Sequence, residues 1–277
     1  MKNKIVIDSA GDIKEFGATG FSSVPLKIIA GDKEFTDNEN IDVSDMVEYL
    51  KSYKGKVSTS CPGVGEYLDA FSDAENTYVI TITSGLSGSY NSACVAAQNY
   101  ISQNPDHKIH VFDSLSAGPE MLLIAEKVRD LINQKFSFNE IVKKAEEYQK
   151  KTHLIFSLES LHNLANNGRI PSAVAKVVGM LGIKLIGKAS DEGKLQPIGK
   201  ARGEKKSIPE IIKNMLAMGY SGGKLRIAHC FNEQAAAKIK EAILNMFPAA
   251  DTLIYPTAGL CSFYAEQGGL LIGFETA

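Results

Sequence analysis

Short apolar runs that end in Asp, Ser or Thr alternate with stretches of helical period through the first half of the chain. Ile5-Val6-Ile7 ends at Asp8-Ser9, and similar runs cover residues 78–82 and 110–112. Each has the length and β-branched or aromatic content of a buried strand. Helical patterns over residues 64–71 and 89–100 lie between them. This alternation predicts a parallel sheet with helices on both faces, joined by right-handed crossovers. Ligands of such sheets bind outside the carboxyl ends of the strands. The polar residues that close these strands are therefore the first candidates for a site.

From residue 114 to residue 151 the pattern is helical, with Leu122, Ala125 and Leu131 on one stripe and Ile141 and Ala145 continuing it. A domain boundary is expected there, giving domains 1–152 and 153–277, with a strand over residues 153–157 opening the second. The second half is mixed. Val174, Val177, Val178 and Leu181 stand at helical spacing. Strands at 184–186 and 194–198 flank the polar turn Ser190-Asp191-Glu192-Gly193, which predicts a hairpin. Helix, strand, helix and strand are expected over 209–218, 225–230, 233–246 and 252–255, before the closing apolar run Leu270-Leu271-Ile272-Gly273-Phe274.

Composition narrows the function. The 277 residues are enough for two cores; 44% are hydrophobic and 22% charged, an ordinary globular balance. With 30 basic and 32 acidic residues spread along the chain, no basic field exists to hold nucleic acid or a membrane surface. The start, Met1-Lys2-Asn3-Lys4, leads into only three apolar residues, too few for a secretion signal, and no run approaches a membrane span. A cytoplasmic protein without stable membrane insertion is expected. Cys61, Cys94, Cys230 and Cys261 are scattered without metal-ligand spacing, so free thiols and no metal are expected.

Two segments carry hydroxyls and bare backbone next to a helical pattern. In the first, Val57-Ser58-Thr59-Ser60-Cys61-Pro62-Gly63, Pro62 suits a first helical turn, which would place Thr59 or Ser60 at or near its cap. In the second, Thr83-Ser84-Gly85-Leu86-Ser87-Gly88-Ser89-Tyr90, Gly85 and Gly88 let backbone approach a ligand, and the helix start favours a negative group. Neither segment has Lys or Arg. Nucleotide phosphates commonly take a cation as well, so a carboxylate fits better.

Familiar catalytic patterns fail. Gly63-Val64-Gly65 lacks the third Gly of a dinucleotide loop because Leu68 is there. The stretch from Gly219 to Lys224 is one residue short of a P-loop. Gly85-Leu86-Ser87 lacks the closing Gly of a nucleophile elbow, since Ser89 stands in its place. None of the five histidines is set as a base for Ser87. A hydrolase or acyl-transferase using Ser87 is the rival reading, and a regulator responding to a sugar or nucleotide is a third.

At these loops the chain resembles the DegV family, which includes the fatty-acid-binding subunits of bacterial fatty acid kinase. The matching pieces are Ile7-Asp8-Ser9-Ala10-Gly11-Asp12, Thr59-Ser60-Cys61-Pro62, Ser84-Gly85-Leu86-Ser87-Gly88-Ser89-Tyr90, Val111-Phe112-Asp113-Ser114, Asn167-Gly168-Arg169-Ile170 and Lys200-Ala201-Arg202-Gly203, in family order. The resemblance implies a two-domain α/β fold, with a parallel-sheet N-terminal domain, a mixed α/β C-terminal domain and a long-chain fatty acid between them. It implies a carboxylate held by Thr59 and Ser87 with help from Ser60 and Gly88. The acyl wall would come largely from the second domain, with the stretch from Val174 to Leu181 as leading candidate. It further implies no catalytic residue or cofactor on this chain. The bound acid would pass to a separate ATP-binding kinase subunit, with Arg202 and Arg169 matching arginines tied to that step. Two departures stand out. Ala265 occupies the place of a recurrent His, leaving Tyr264 to offer a hydroxyl, and Cys61 replaces the usual Gln before Pro62.

Overall fold

The computed structural model describes residues 2–17, 20–72, 74–171 and 182–277. Its first part runs β1 (Asn3–Asp8), β2 (Phe21–Val24), β3 (Lys27–Ala30), β4 (Lys33–Thr36), α1 (Val43–Ser52), β5 (Val57–Ser60) and α2 (Val64–Ala70). Next come β6 (Asn76–Thr81), α3 (Ser89–Gln103), β7 (Lys108–Asp113), α4 (Pro119–Asn133) and α5 (Phe138–Gln149). Strands β2-β1-β6-β7 form an all-parallel sheet, as the alternation predicts. Strands β4-β3-β5 form a small antiparallel sheet that was not foreseen.

The rest runs β8 (Thr152–Leu158), α6 (His162–Asn166), β9 (Ile183–Ala189), β10 (Leu195–Arg202), α7 (Glu204–Ala217) and β11 (Leu225–His229). It ends α8 (Glu233–Met246), β12 (Thr252–Pro256), α9 (Gly259–Ala265) and β13 (Leu270–Glu275). These strands make a mixed six-stranded sheet in the order β10-β9-β8-β13-β11-β12, with only β11 and β12 parallel. The hairpin β9–β10 is as expected. The fold is thus α/β, with one parallel and one mixed major sheet.

The expected stripe Leu122, Ala125, Leu131, Ile141 and Ala145 packs in one core with Ile5, Ile7, Tyr78 and Ile80. The helical pattern over 114–151 is carried by two helices, α4 and α5. Lys135 takes a left-handed φ of 63°. Glu140 accepts from the backbone N–H (2.9 Å) and the hydroxyl (2.6 Å) of Ser137 and so restarts the chain as α5.

Buried carboxyls tie the sheets together. Asp37 accepts from the backbone N–H of Gly259 (2.6 Å) and Leu260 (2.9 Å) at the start of α9. Asp12 accepts from Ala258 N–H at 2.7 Å. Burial pushes Asp12 up to about 8, and Asp8 and Glu120 up to about 7. In the unfolded chain these groups ionise near ~4. Between about 4 and 8 the folded state therefore binds more protons, and stability falls as pH rises through that window. The half-buried histidines His110, His153 and His229 are pushed down by desolvation from 6.5, so their opposing contribution is complete above that pH. Denaturant unfolding between about pH 6.5 and 8.5 is expected to show the decline, with Asp12 supplying up to about 1.4 kcal/mol per pH unit well below its folded value of about 8 and progressively less above it. Asp12→Asn keeps the acceptor for Ala258 and should flatten the slope; an unchanged slope would remove Asp12 as its source.

Candidate functional site

An apolar surface not filled by packing lies between the two major sheets. Along β8 the side chains of Leu154, Phe156 and Leu158 share one face, because strand residues alternate. Ile155, one residue out of step, packs in the core on the opposite face. Leu271, paired with Phe156 across β13, extends the surface, and Leu26, Ile82 and Leu260 close it from the other side. They enclose a cavity of about 330 Å³.

One end of this cavity is polar. Thr59 and Ser60 arrive on β5, Ser87 and Gly88 on the turn before α3, and Tyr264 on α9. The Thr59 and Tyr264 hydroxyls are 2.7 Å apart and hydrogen-bonded. Burial raises the Tyr264 pKa against the opposing pull of Thr59, so the phenol stays protonated and able to donate. Ser87 Oγ accepts from Ser89 N–H at 3.3 Å, which leaves its O–H free to turn toward the cavity. A buried Asp8 fixes this turn: its carboxylate accepts from Ile82 N–H (2.8 Å) and Ser89 Oγ (2.6 Å), and Tyr67 OH backs Ser89 at 2.7 Å. Gly88 is bare where a Cβ would stand 3.2 Å from the Cys61 sulfur, so the two hydroxyl-bearing segments approach this closely only with glycine there.

Arg169 is the only charged side chain lining the cavity among the described residues. Its Nε donates to the Leu86 carbonyl (3.2 Å) and a terminal nitrogen donates to the Asn167 carbonyl. Its guanidinium carbon lies 6.0 Å from the Tyr264 ring centre. Asn167 in turn donates to the Val57 carbonyl at 3.2 Å. Leu86, β5 and α9 are thereby joined around the polar end. Together, protonated hydroxyls, a backbone turn at a helix start and one cation next to an apolar cavity suit an amphiphile with a small anionic head.

Thr59, Ser60, Ser87, Gly88, Tyr264 and Arg169 thus meet at one cavity. Thr59 and Ser60 are not helix caps, contrary to the expectation from Pro62. They are strand residues paired with Ile28 and Lys27 of β3, and α2 begins only at Val64, with Gly63 N–H bonded to Glu66 at 2.7 Å. Arg202 does not line the cavity; it is exposed at the end of the sheet-edge strand β10. Val174, Val177, Val178 and Leu181 lie outside the described residues. All four cysteines are free, and Cys61 and Cys261 line the cavity. None of the five histidines lines it, and no cluster of three or more potential metal ligands occurs among the described residues. Leu260 and Cys261 were missed as cavity lining, and Ala265 was noted only as the place of a recurrent His. They come from the single short helix α9, whose signal is only Pro256-Thr257 before a seven-residue apolar stretch.

Residues 2–276 match the family described as uncharacterised protein, DegV family. A DegV domain-containing protein of Streptococcus pneumoniae is 44% identical over 276 residues, covering 98% of each chain. Among solved structures, the Streptococcus pneumoniae Fatty Acid Kinase (Fak) B3 protein loaded with linoleic acid is 44% identical, with a TM-score of 0.99 over 100% of both chains. A DegV family protein from Eubacterium eligens loaded with heptadecanoic acid is 43% identical, with a TM-score of 0.97 over 99% of this chain and 100% of that one. With sequence match and fold agreeing from end to end, this chain belongs to the DegV family.

Proposed function

We propose that the protein binds one long-chain fatty acid, tail in the cavity and carboxylate at Thr59, Ser60, Ser87, Gly88 and Tyr264, and presents it to the ATP-binding subunit of a fatty acid kinase. The observation that carries this reading is the meeting of those hydroxyls at one end of an apolar cavity. Relatives above 40% identity loaded with linoleic and heptadecanoic acid support it. The cavity then lies between domains 1–152 and 153–277. Acyl phosphate formation belongs to the partner, and this chain needs no catalytic residue, metal or cofactor of its own. Arg202, exposed at the end of β10, contacts the partner, and Arg169 orders the polar end for transfer. Among the described residues no helix is long and apolar enough to cross a membrane.

A Ser87 nucleophile would need a base beside it. With no histidine lining the cavity and Ser87 Oγ already accepting from Ser89, nothing favours that chemistry. Native mass spectrometry of the purified protein, followed by denaturing lipid extraction, tests the binding reading. One intact long-chain acid per chain is the expected result. A mass that stays at the bare-chain value after incubation with mixed fatty acids would overturn it.

A further inference from the structure

The wall that β8 and β9 offer to the cavity is uneven. Side chains on one face of a sheet recur at every second residue, so Phe156 stands between its cross-strand partners, Leu271 of β13 and Gly187 of β9. The next pair along, Leu158 with Leu185, is aliphatic on both strands and buried. At Gly187 the row has a gap.

The Phe156 ring fills that gap. A Cβ on Gly187 would stand 2.1 Å from Phe156 Cζ and 2.4 Å from Cε2, so the tip of the ring lies over the glycine. Side chains of a strand ordinarily stand roughly perpendicular to the sheet; this one leans across it toward β9. Phe156 lines the cavity, whereas Gly187 beneath it does not. Other room for the ring is taken. Leu154 and Leu158 flank it along β8, and Leu271 lies across from it on β13, all three buried. Among the described residues, the unfilled space that the ring borders is the cavity. A ring pushed off Gly187 would therefore stand up into the room for the ligand.

We propose that Gly187 is a positioning residue for the acyl site: lacking a Cβ, it lets the Phe156 ring lie down on the sheet and keeps the cavity wide enough for the tail. The width of the site is thus set by a residue that does not line it. Any side chain at position 187 would act on the ligand through Phe156. This inference rests on the fatty-acid reading above and deepens it.

The test uses delipidated full-length protein and measures affinity for oleic acid by competition with a fluorescent fatty acid. Gly187→Ala is expected to weaken binding by about tenfold or more, the contacts of about two methylenes. The added methyl would also stand 2.9 Å from the Gln196 carbonyl oxygen on the edge strand β10. A double variant separates the two effects. Gly187→Ala with Phe156→Leu nearly conserves volume and keeps the Gln196 contact. Its affinity is expected to lie within about threefold of that of Phe156→Leu alone. Unchanged affinity in Gly187→Ala overturns the proposal, and so does an equal loss in both backgrounds. Wild-type protein that binds neither oleic nor palmitic acid overturns the fatty-acid reading itself, and the positioning role with it. Circular dichroism checks folding. Should Gly187→Ala fail to fold, Phe156→Trp decides. Its ring system outgrows the recess over Gly187, so a loss of about tenfold is expected, and unchanged affinity again overturns the proposal.

Discussion

Replacing Arg226 with methionine is expected to cost about 3–5 kcal/mol of folding stability, the penalty for stranding a buried charge. Arg226 is 4% exposed and Glu126, its partner on α4, 6%. Two nitrogens of the guanidinium reach the two Glu126 oxygens at 2.9 Å each, and Asp251 receives a third bond at 2.8 Å. Burial pulls the Arg226 pKa down, but the bonds to Asp251 and Glu126 more than reverse it, so the pair stays ionised. Lys224 stands 3.3 Å from Glu126 and would retain part of the compensation, which favours the lower end of the range. The double replacement Arg226→Met with Glu126→Leu removes both charges together and should recover most of the loss, because a packed apolar pair escapes desolvation. Urea unfolding of the two variants decides. A loss below about 1 kcal/mol for Arg226→Met would mean the pair is hydrated in solution and worth no more than a surface bridge. The consequence reaches the cavity, since Ala117 lines it just before α4 and this ion pair anchors α4 to β11.

The elements that could be foreseen are those whose pattern is long or doubly marked. The runs at Ile5 and Tyr78 are buried on both faces, and such strands announce themselves by continuous hydrophobicity. The β9–β10 hairpin was marked by its polar turn. Strands β2 to β5 are four residues each, too short for a period to emerge, and β4 buries none of its side chains fully. That gap propagated into the site. With β3 unseen, Thr59 and Ser60 could only be read against the helix that follows, although their neighbours are set by β3. The split between α4 and α5 was written in Ser137 and Glu140, a capping box masked by the apolar stripe that runs on either side of it. Motif order supplied the hydroxyls of the site, whereas its apolar wall depends on which face of β8 turns inward. A run such as Leu154-Ile155-Phe156-Ser157-Leu158 does not disclose that by itself. Tyr264 was named as a candidate because the place beside it lacks the family's usual His; its bond to Thr59, 205 residues away in sequence, is a product of tertiary packing.

Thr59→Val together with Ser87→Ala should leave a bound fatty acid but nearly abolish its phosphorylation by the kinase partner. Each buried methylene of the tail contributes about 0.8 kcal/mol, so a long acyl chain supplies most of the affinity whatever its head touches. A hydrogen bond to a carboxylate contributes about 1.5–3 kcal/mol. Part of that loss is recovered by the remaining Ser60 and Tyr264 hydroxyls and by water, so binding is expected to weaken by about tenfold. Transfer of a phosphoryl group is more exacting, since a misplacement of about 1 Å can cost about 100-fold in rate. With the Ser87 hydroxyl gone, the turn held by Asp8 and Ser89 has no O–H to present, and with the Thr59 hydroxyl gone, the Tyr264 phenol loses its hydrogen-bond partner. At saturating fatty acid, partner-dependent acyl phosphate formation should fall by at least about 100-fold while the co-purified acid persists. Turnover within about threefold of wild type at saturation would separate the hydroxyls from orientation altogether. The head group would then be positioned by the partner, and this protein would act only as a reservoir for the tail.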